Sequence, residues 1–246
     1  MKIVIVGATS SIAEHCARLW VASGAKHLVL LARDPSRLAV IAADLSVRSP
    51  DARIETQVTD FMDPKAIASC VEAVATAGPV DVVLIAHGSL PDQAACQSDP
   101  RVLEDALLIN GISPVLFAEA FARQFEQRGS GTLALIGSVA GDRGRKSNYA
   151  YGAAKGLVER YVQGLQHRFG RSDIKVILIK PGPTDTPMTA KMKSQGARLA
   201  PVTQVAASIV AGIAKGRPII YAPAKWALIM MVIRHLPRWV FNKMDI

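Results

Sequence analysis

Tyr151 and Lys155 stand four residues apart in Tyr151-Gly152-Ala153-Ala154-Lys155, and Ser138 lies upstream in Gly137-Ser138-Val139-Ala140-Gly141. On a helix, positions i and i+4 share a face, so the phenol and the ammonium can enter one pocket. A phenol titrates near ~10 when unperturbed, and a neighbouring cation favours the phenolate. The pairing therefore predicts a Tyr151 drawn toward a useful acid–base range by Lys155. Ser138 falls where the preceding strand should end, placed to hydrogen-bond a carbonyl oxygen. Three such groups can move a proton on and off an alcohol or ketone oxygen. Tyr-xxx-Lys pairs also occur as ordinary exposed helix neighbours, so the surrounding elements must supply the context.

Short β-rich runs alternate with longer helical patterns. The pattern predicts strands at Lys2–Val6, His27–Ala32, Arg53–Gln57, Val80–Ala86, Gly131–Gly137, Ile174–Lys180 and Ile219–Tyr221. Helices are predicted near Ser11–Ser23, Pro35–Val47, Pro64–Ala77, Asp99–Gln127, Asn148–Phe169 and Val202–Lys215. Val82-Val83-Leu84-Ile85 is apolar on both faces, which indicates a mostly parallel sheet covered on each side. Alternating strand and helix implies one doubly wound α/β domain of seven strands over residues 1–221, with 222–246 as a basic, apolar helical extension of it. Ligands of such a sheet gather at the carboxyl ends of its strands.

The first strand runs into Gly7-Ala8-Thr9-Ser10-Ser11-Ile12-Ala13 and then a helix. A tight turn into a helix N-terminus offers free N–H groups and positive dipole to a pyrophosphate. Gly7, Thr9, Ser10, Ser11 and Ile12 are the candidate phosphate-binding residues; an ordinary serine N-cap is the structural alternative.

The chain has 246 residues, 50% of them hydrophobic, so a large core is available. No charge-poor run of ~18 or more apolar residues is evident, so no transmembrane span is expected. The apolar start reads as a buried strand rather than a signal peptide. Cys16, Cys70 and Cys96 are scattered with no metal-like spacing, and their odd number fits a reducing cytoplasm. Thr186–Met244 contains no Asp or Glu but nine cations: Lys191, Lys193, Arg198, Lys215, Arg217, Lys225, Arg234, Arg238 and Lys243. They equal the whole net charge of +9. Such asymmetry suggests an anionic partner for that end, a membrane surface or a phosphorylated substrate. Nucleic acid ranks low, because the cations accompany aliphatic residues rather than a binding motif.

From Met1 to about Lys215 these segments resemble the short-chain dehydrogenase/reductase family, which implies a Rossmann fold. The family's glycine-rich first motif appears with Ser11 and Ala13 in place of its second and third glycines. Its Asn-Asn-Ala-Gly motif appears as Ile85-Ala86-His87-Gly88, implying that Ala86, His87 and Gly88 line the cofactor by backbone. Asn110, in Leu108-Ile109-Asn110, matches the asparagine that would hold a water connecting Lys155 to solvent. Asp60-Phe61 matches the pair beside adenine. Pro181, Thr184 and Thr186 match the Pro-Gly motif, where the threonines would meet the nicotinamide carboxamide and pyrophosphate. The resemblance implies catalysis by Asn110, Ser138, Tyr151 and Lys155, with Tyr151 and Lys155 also touching the cofactor.

Arg33 follows the second strand where an NAD site would place an acid for the ribose hydroxyl, so NADP(H) is favoured over NAD(H). Its alternative is a solvated arginine partnered by Asp34. The altered fourth-strand motif and the basic tail also resemble the branch of reductases in decaprenylphosphoryl-ribose epimerisation. That resemblance implies reduction of a keto-pentose on a polyprenyl phosphate after a partner flavin oxidase has made the ketone. Trp226–Phe241, apolar with flanking cations, has the composition of an interfacial anchor at the inner face of the membrane. The alternative is a homodimer or homotetramer contact. The rival functions are a soluble ketone, steroid or acyl-thioester reductase and a non-catalytic NADP-binding protein.

Overall fold

Buried aliphatic strands decide the architecture. In the computed structural model, which describes residues 1–244, seven strands form one all-parallel sheet in the order β3-β2-β1-β4-β5-β6-β7. They are β1 (Lys2–Val6), β2 (His27–Ala32), β3 (Arg53–Val58), β4 (Val82–Ile85), β5 (Ser130–Ile136), β6 (Asp173–Pro181) and β7 (Ile219–Ala222). β1 and β4 are buried along their whole length because helices cover both faces. Two hydrophobic clusters result, one on each face of the sheet. The order reverses between β1 and β4, which opens a crevice at their carboxyl ends.

The main connecting helices are α1 (Ser11–Ala22), α2 (Pro35–Arg48) and α3 (Pro64–Thr76), followed after β4 by α4 (Gln93–Ser98), α5 (Pro100–Leu107) and α6 (Ser113–Arg128). Later come α7 (Tyr149–Arg168), α8 (Ala190–Ser194), α9 (Val202–Ala214), α10 (Lys225–His235) and α11 (Arg238–Phe241). Asp-Pro pairs start α2, α3 and α5: Asp34, Asp63 and Asp99 each cap first-turn N–H groups, and the proline follows where no N–H is needed.

The single helix expected at Asp99–Gln127 is interrupted. α5 and α6 are joined by one π-helical turn, Leu108–Ile112. Pro114 has no N–H to give the Asn110 carbonyl, so one helical bond is missing where the turn widens. α4, capped by Asp92, was not expected either. Pro100–Arg128 also qualifies by length and hydropathy as a span, contrary to the expectation of none. Its apolar face is core: Phe117, Ala118, Phe121 and Ala122 are fully buried.

Candidate active site

Ser138 leaves the end of β5 in an extended conformation, and its Oγ accepts a hydrogen bond from the Ala140 N–H at 3.1 Å. This starts a 3-10 turn over Val139–Gly141, and α7 presses against it. A Cβ added at Gly152 would lie 2.9 Å from the Ala140 carbonyl oxygen, and one at Gly141 would lie 2.9 Å from the Lys155 carbonyl oxygen. The two glycines set how closely the serine turn approaches the helix of Tyr151 and Lys155. Lys155 Nζ donates to the Ile136 carbonyl at 3.0 Å and lies 5.7 Å from the centre of the Tyr151 ring.

Asn110 sits in the π turn, fully buried. Its Nδ2 donates to the Ala106 carbonyl at 2.9 Å, and its Oδ1 accepts from the Ser89 N–H at 2.8 Å. Asn110 Oδ1 and Lys155 Nζ flank the same spot: a Cβ on Gly88 would lie 2.8 Å from the first and 3.6 Å from the second. The structure thus gathers Asn110, Ser138, Tyr151 and Lys155 at the carboxyl ends of β4 and β5.

Burial dominates their acid–base character. It pushes the Tyr151 phenol up to about 12, opposed in part by a hydrogen bond with Ser138. It pushes the Lys155 ammonium down to about 8. The expected drift of the phenol toward neutrality is corrected: the spacing brings the cation beside the ring, but dehydration outweighs the one opposing influence, the Ser138 hydrogen bond.

Two clefts adjoin here, sharing Ser10, Ile12 and Met188 among their lining residues, and Ser138, Tyr151 and Lys155 line only the second. One, of about 560 Å³, is lined by Gly7, Thr9, Ser10, Ser11, Ile12 and Arg33, among others. The other, of about 280 Å³, is lined by Ser138, Tyr151, Lys155, Ala86, Pro181 and Thr184, among others. His87, Gly88 and Thr186 border both.

The family pattern described as short chain dehydrogenase matches residues 1–197. The chain belongs to the short-chain dehydrogenase/reductase family. It is 30% identical over 244 residues to an uncharacterized oxidoreductase of Streptomyces coelicolor, covering 99% of this chain and 95% of that one. An uncharacterized oxidoreductase of Mycobacterium tuberculosis is 31% identical over 245 residues, covering 98% and 96%. The fold matches a short-chain dehydrogenase from Sphingobium yanoikuyae solved with NADPH, at a TM-score of 0.84 and 23% identity, over 99% and 96% of the chains. As a member of this family the protein is an NAD(P)-dependent oxidoreductase.

The first cleft fits the short-chain dehydrogenase cofactor. Gly7 has φ +82°, and a Cβ there would strike the His87 backbone at 2.6 Å. Ser10 is the N-cap of α1 yet makes no side-chain cap bond, which leaves its hydroxyl and the first-turn N–H groups to face a pyrophosphate. Arg33 is exposed at the far end. Asp34 is not its ion-pair partner among the described residues, since its carboxylate caps α2 through Ser36 and Arg37. Phe61 lines the cleft, whereas Asp60 lies outside both cleft linings and accepts from the Met62 N–H at 2.8 Å. The buried His87 ring is held neutral, its value lowered to about 3 chiefly by burial, then by Lys155 and Arg33. Its Nε2 meets Ser113 Oγ at 2.9 Å, and Phe61 and Phe117 pack edge-on against it. Thr184 Oγ1 turns to the Gly182 carbonyl at 2.9 Å, and Thr186 pairs with Thr189.

Sequence reading passed over several residues. Arg37, one turn beyond Arg33, lines the first cleft and donates to the Thr9 carbonyl at 3.0 Å. Lys180 is a buried cation in an apolar strand, paired with Asp142 and with Glu159 at 2.8 Å. Burial lowers its pKa, but both carboxylates outweigh that and raise it. The triad ties the serine turn, α7 and β6 together. The signal for it was an isolated lysine among Val176-Ile177-Leu178-Ile179. Trp226 packs its indole against Gly182 at the rim of the second cleft, and only its apolar character was visible beforehand.

Proposed function

We propose that the protein reduces a ketone to a secondary alcohol with NADPH. The observation that carries this is the convergence of Ser138, Tyr151 and Lys155 on one cleft, with Asn110 buried behind Gly88 beside Lys155, next to another cleft that fits a dinucleotide. Two arginines, Arg33 and Arg37, at the end of that first cleft support a 2′-phosphate and hence NADP(H). When bound, the cofactor supplies the hydride.

The protein's own groups handle the proton. Ser138 hydrogen-bonds the carbonyl oxygen and holds it against Tyr151. Tyr151, kept protonated by burial, gives its proton to the oxygen as negative charge develops there. Lys155 stabilises the tyrosinate that remains. Asn110 orders the water that returns a proton through Lys155.

A keto-sugar carried on a polyprenyl phosphate is the substrate we favour. The support is the surface beside the second cleft. On α10, Leu228, Met231 and Val232 lie at helical spacing and are exposed, and Trp239 on α11 is 70% exposed. Lys225, Arg234, Arg238 and Lys243 are interspersed, so the surface suits the anionic face of a bilayer and would let the cleft meet a lipid-borne substrate. NADPH oxidation against a panel of ketones, including a polyprenyl-phosphate keto-pentose, tests the reading. Turnover of small ketones without that lipid would favour the soluble ketone reductase instead. No turnover of any ketone despite tight NADPH binding would sink the reductase reading.

A further inference from the structure

Arg145 lies in the wall of the second cleft, on the loop between the Ser138 turn and α7. Its Nε is buried and has no hydrogen-bond partner. Among the described residues no carboxylate pairs with its guanidinium. The neighbouring charges are already committed. Asp142 is bound to Lys180. Arg143 points the other way, donating to the carbonyls of Ile233 and Leu236 at 2.6 and 2.7 Å and stacking on Phe241. Among the described residues no Asp or Glu lines this cleft. Its cations are Lys155, which already donates to Ile136, and Arg145. Asn148 adds a second orphan to the same wall, its buried Oδ1 lacking a donor.

Arg145 is half-buried, and burying its Nε without a partner among the described residues is costly, since arginine does not escape by losing its proton. Burial lowers its pKa, as an uncompensated charge requires. The turn assigned to the cofactor's phosphates, Thr9–Ile12, lines the first cleft and reaches the second through Ser10 and Ile12, whereas Arg145 lines only the second, in the wall that holds Ser138 and Tyr151.

We infer that Arg145 is a specificity-determining residue that binds an anionic group, carboxylate or phosphate, carried on the ketone substrate. This rests on the reductase reading and narrows it to ketones bearing negative charge. The planar fork of arginine can take two oxygens of either anion, and the orphan Asn148 Oδ1 can accept from a substrate hydroxyl.

The test is calorimetric binding to the protein saturated with NADP⁺, which needs no turnover. Two charge-matched pairs serve as probes: levulinate against methyl levulinate, and dihydroxyacetone phosphate against dihydroxyacetone. The first reports carboxylate and the second phosphate. The wild type should prefer the anionic member of at least one pair by roughly ten- to hundredfold, the range of a charge-assisted hydrogen bond. Arg145→Gln should bring that ratio close to one, and Arg145→Lys should keep part of it. Thermal unfolding with NADP⁺ reports folding separately; if the glutamine variant does not fold, the lysine variant must still reduce the ratio several-fold. No preference in the wild type, or a preference unchanged in the variants, overturns the inference. NADPH oxidation with levulinate and with methyl levulinate checks the reductase reading separately: turnover of either ketone supports it whatever their ratio, and turnover of neither ketone nor of dihydroxyacetone phosphate counts against it.

Discussion

At the scale of single residues, burial sets the acid–base character of the candidate catalytic pair, Tyr151 and Lys155. Tyr151 keeps its proton because the cleft disfavours phenolate, and Lys155 is strained as a cation for the same reason. Tyr151→Phe removes the group proposed to give up its proton while conserving shape. Turnover should fall at least ~10²–10⁴-fold, with NADPH affinity, read by fluorescence, nearly unchanged. Near-normal turnover would remove Tyr151 from the mechanism. Lys155 carries a second expectation in the cofactor-free protein. Its value is lowered in the folded state from 10.5 to about 8. Below about 8 both states hold the proton, and the folded state bears a buried charge. Between about 8 and 10.5 the unfolded chain binds more protons, so stability from this group rises with pH. Lys155→Met lacks that dependence. It should be more stable than the wild type near neutral pH, and the gap should narrow as pH climbs through that window in urea unfolding. A gap independent of pH would mean that Lys155 is not a dehydrated cation.

At the scale of elements, the buried triad decides how the site is framed. Asp142 follows the serine turn, Glu159 lies on α7, and Lys180 ends β6, so three segments share one charge cluster. Removing one member of such a cluster leaves uncompensated buried charge, at a cost of about 3–5 kcal/mol. Lys180→Met should lose that much in urea unfolding. Replacing all three residues by apolar ones of similar size should recover most of it. A tolerated Lys180→Met would show that the cluster is hydrated and weak. The triad also shows where sequence reading stops. Strand positions and the family were legible because they depend on local periodicity and on motifs with fixed spacing. The Lys180 partners lie 38 and 21 residues away, and only folding brings them together. The π turn was hidden for a different reason. Its cause, Pro114 four residues after Asn110, resembles an ordinary proline near a helix start. Spacing reveals a neighbour but not how much water is lost, which is why Tyr151 lies above its ordinary value and not below it.

At the scale of the whole molecule, charge is segregated toward one end. Of the nine cations beyond Thr186, Lys191 pairs with Asp92 at 3.0 Å and Lys193 with Asp185 at 2.6 Å. These pairs are exposed and weakly stabilising. The cations of α10, α11 and the following turn have no such partner among the described residues, and they surround exposed Leu228, Met231, Val232 and Trp239. Arg143 anchors this segment by gripping the end of α10 and stacking on Phe241, so the surface is held to the body beside the cleft. Each basic residue near an anionic leaflet contributes about 1 kcal/mol, and the contribution falls with salt. Co-sedimentation with vesicles containing anionic lipid should therefore show binding that weakens as salt rises and is poor on neutral vesicles. Reversing Arg234, Arg238 and Lys243 to glutamate should lower the partition by roughly a hundredfold or more, and Trp239→Ala should lower it further. Light scattering on the same variants separates the rival use of this surface. If reversal leaves vesicle binding unchanged but dissociates an oligomer, the exposed face of α10 and α11 is a subunit contact and the bilayer reading fails.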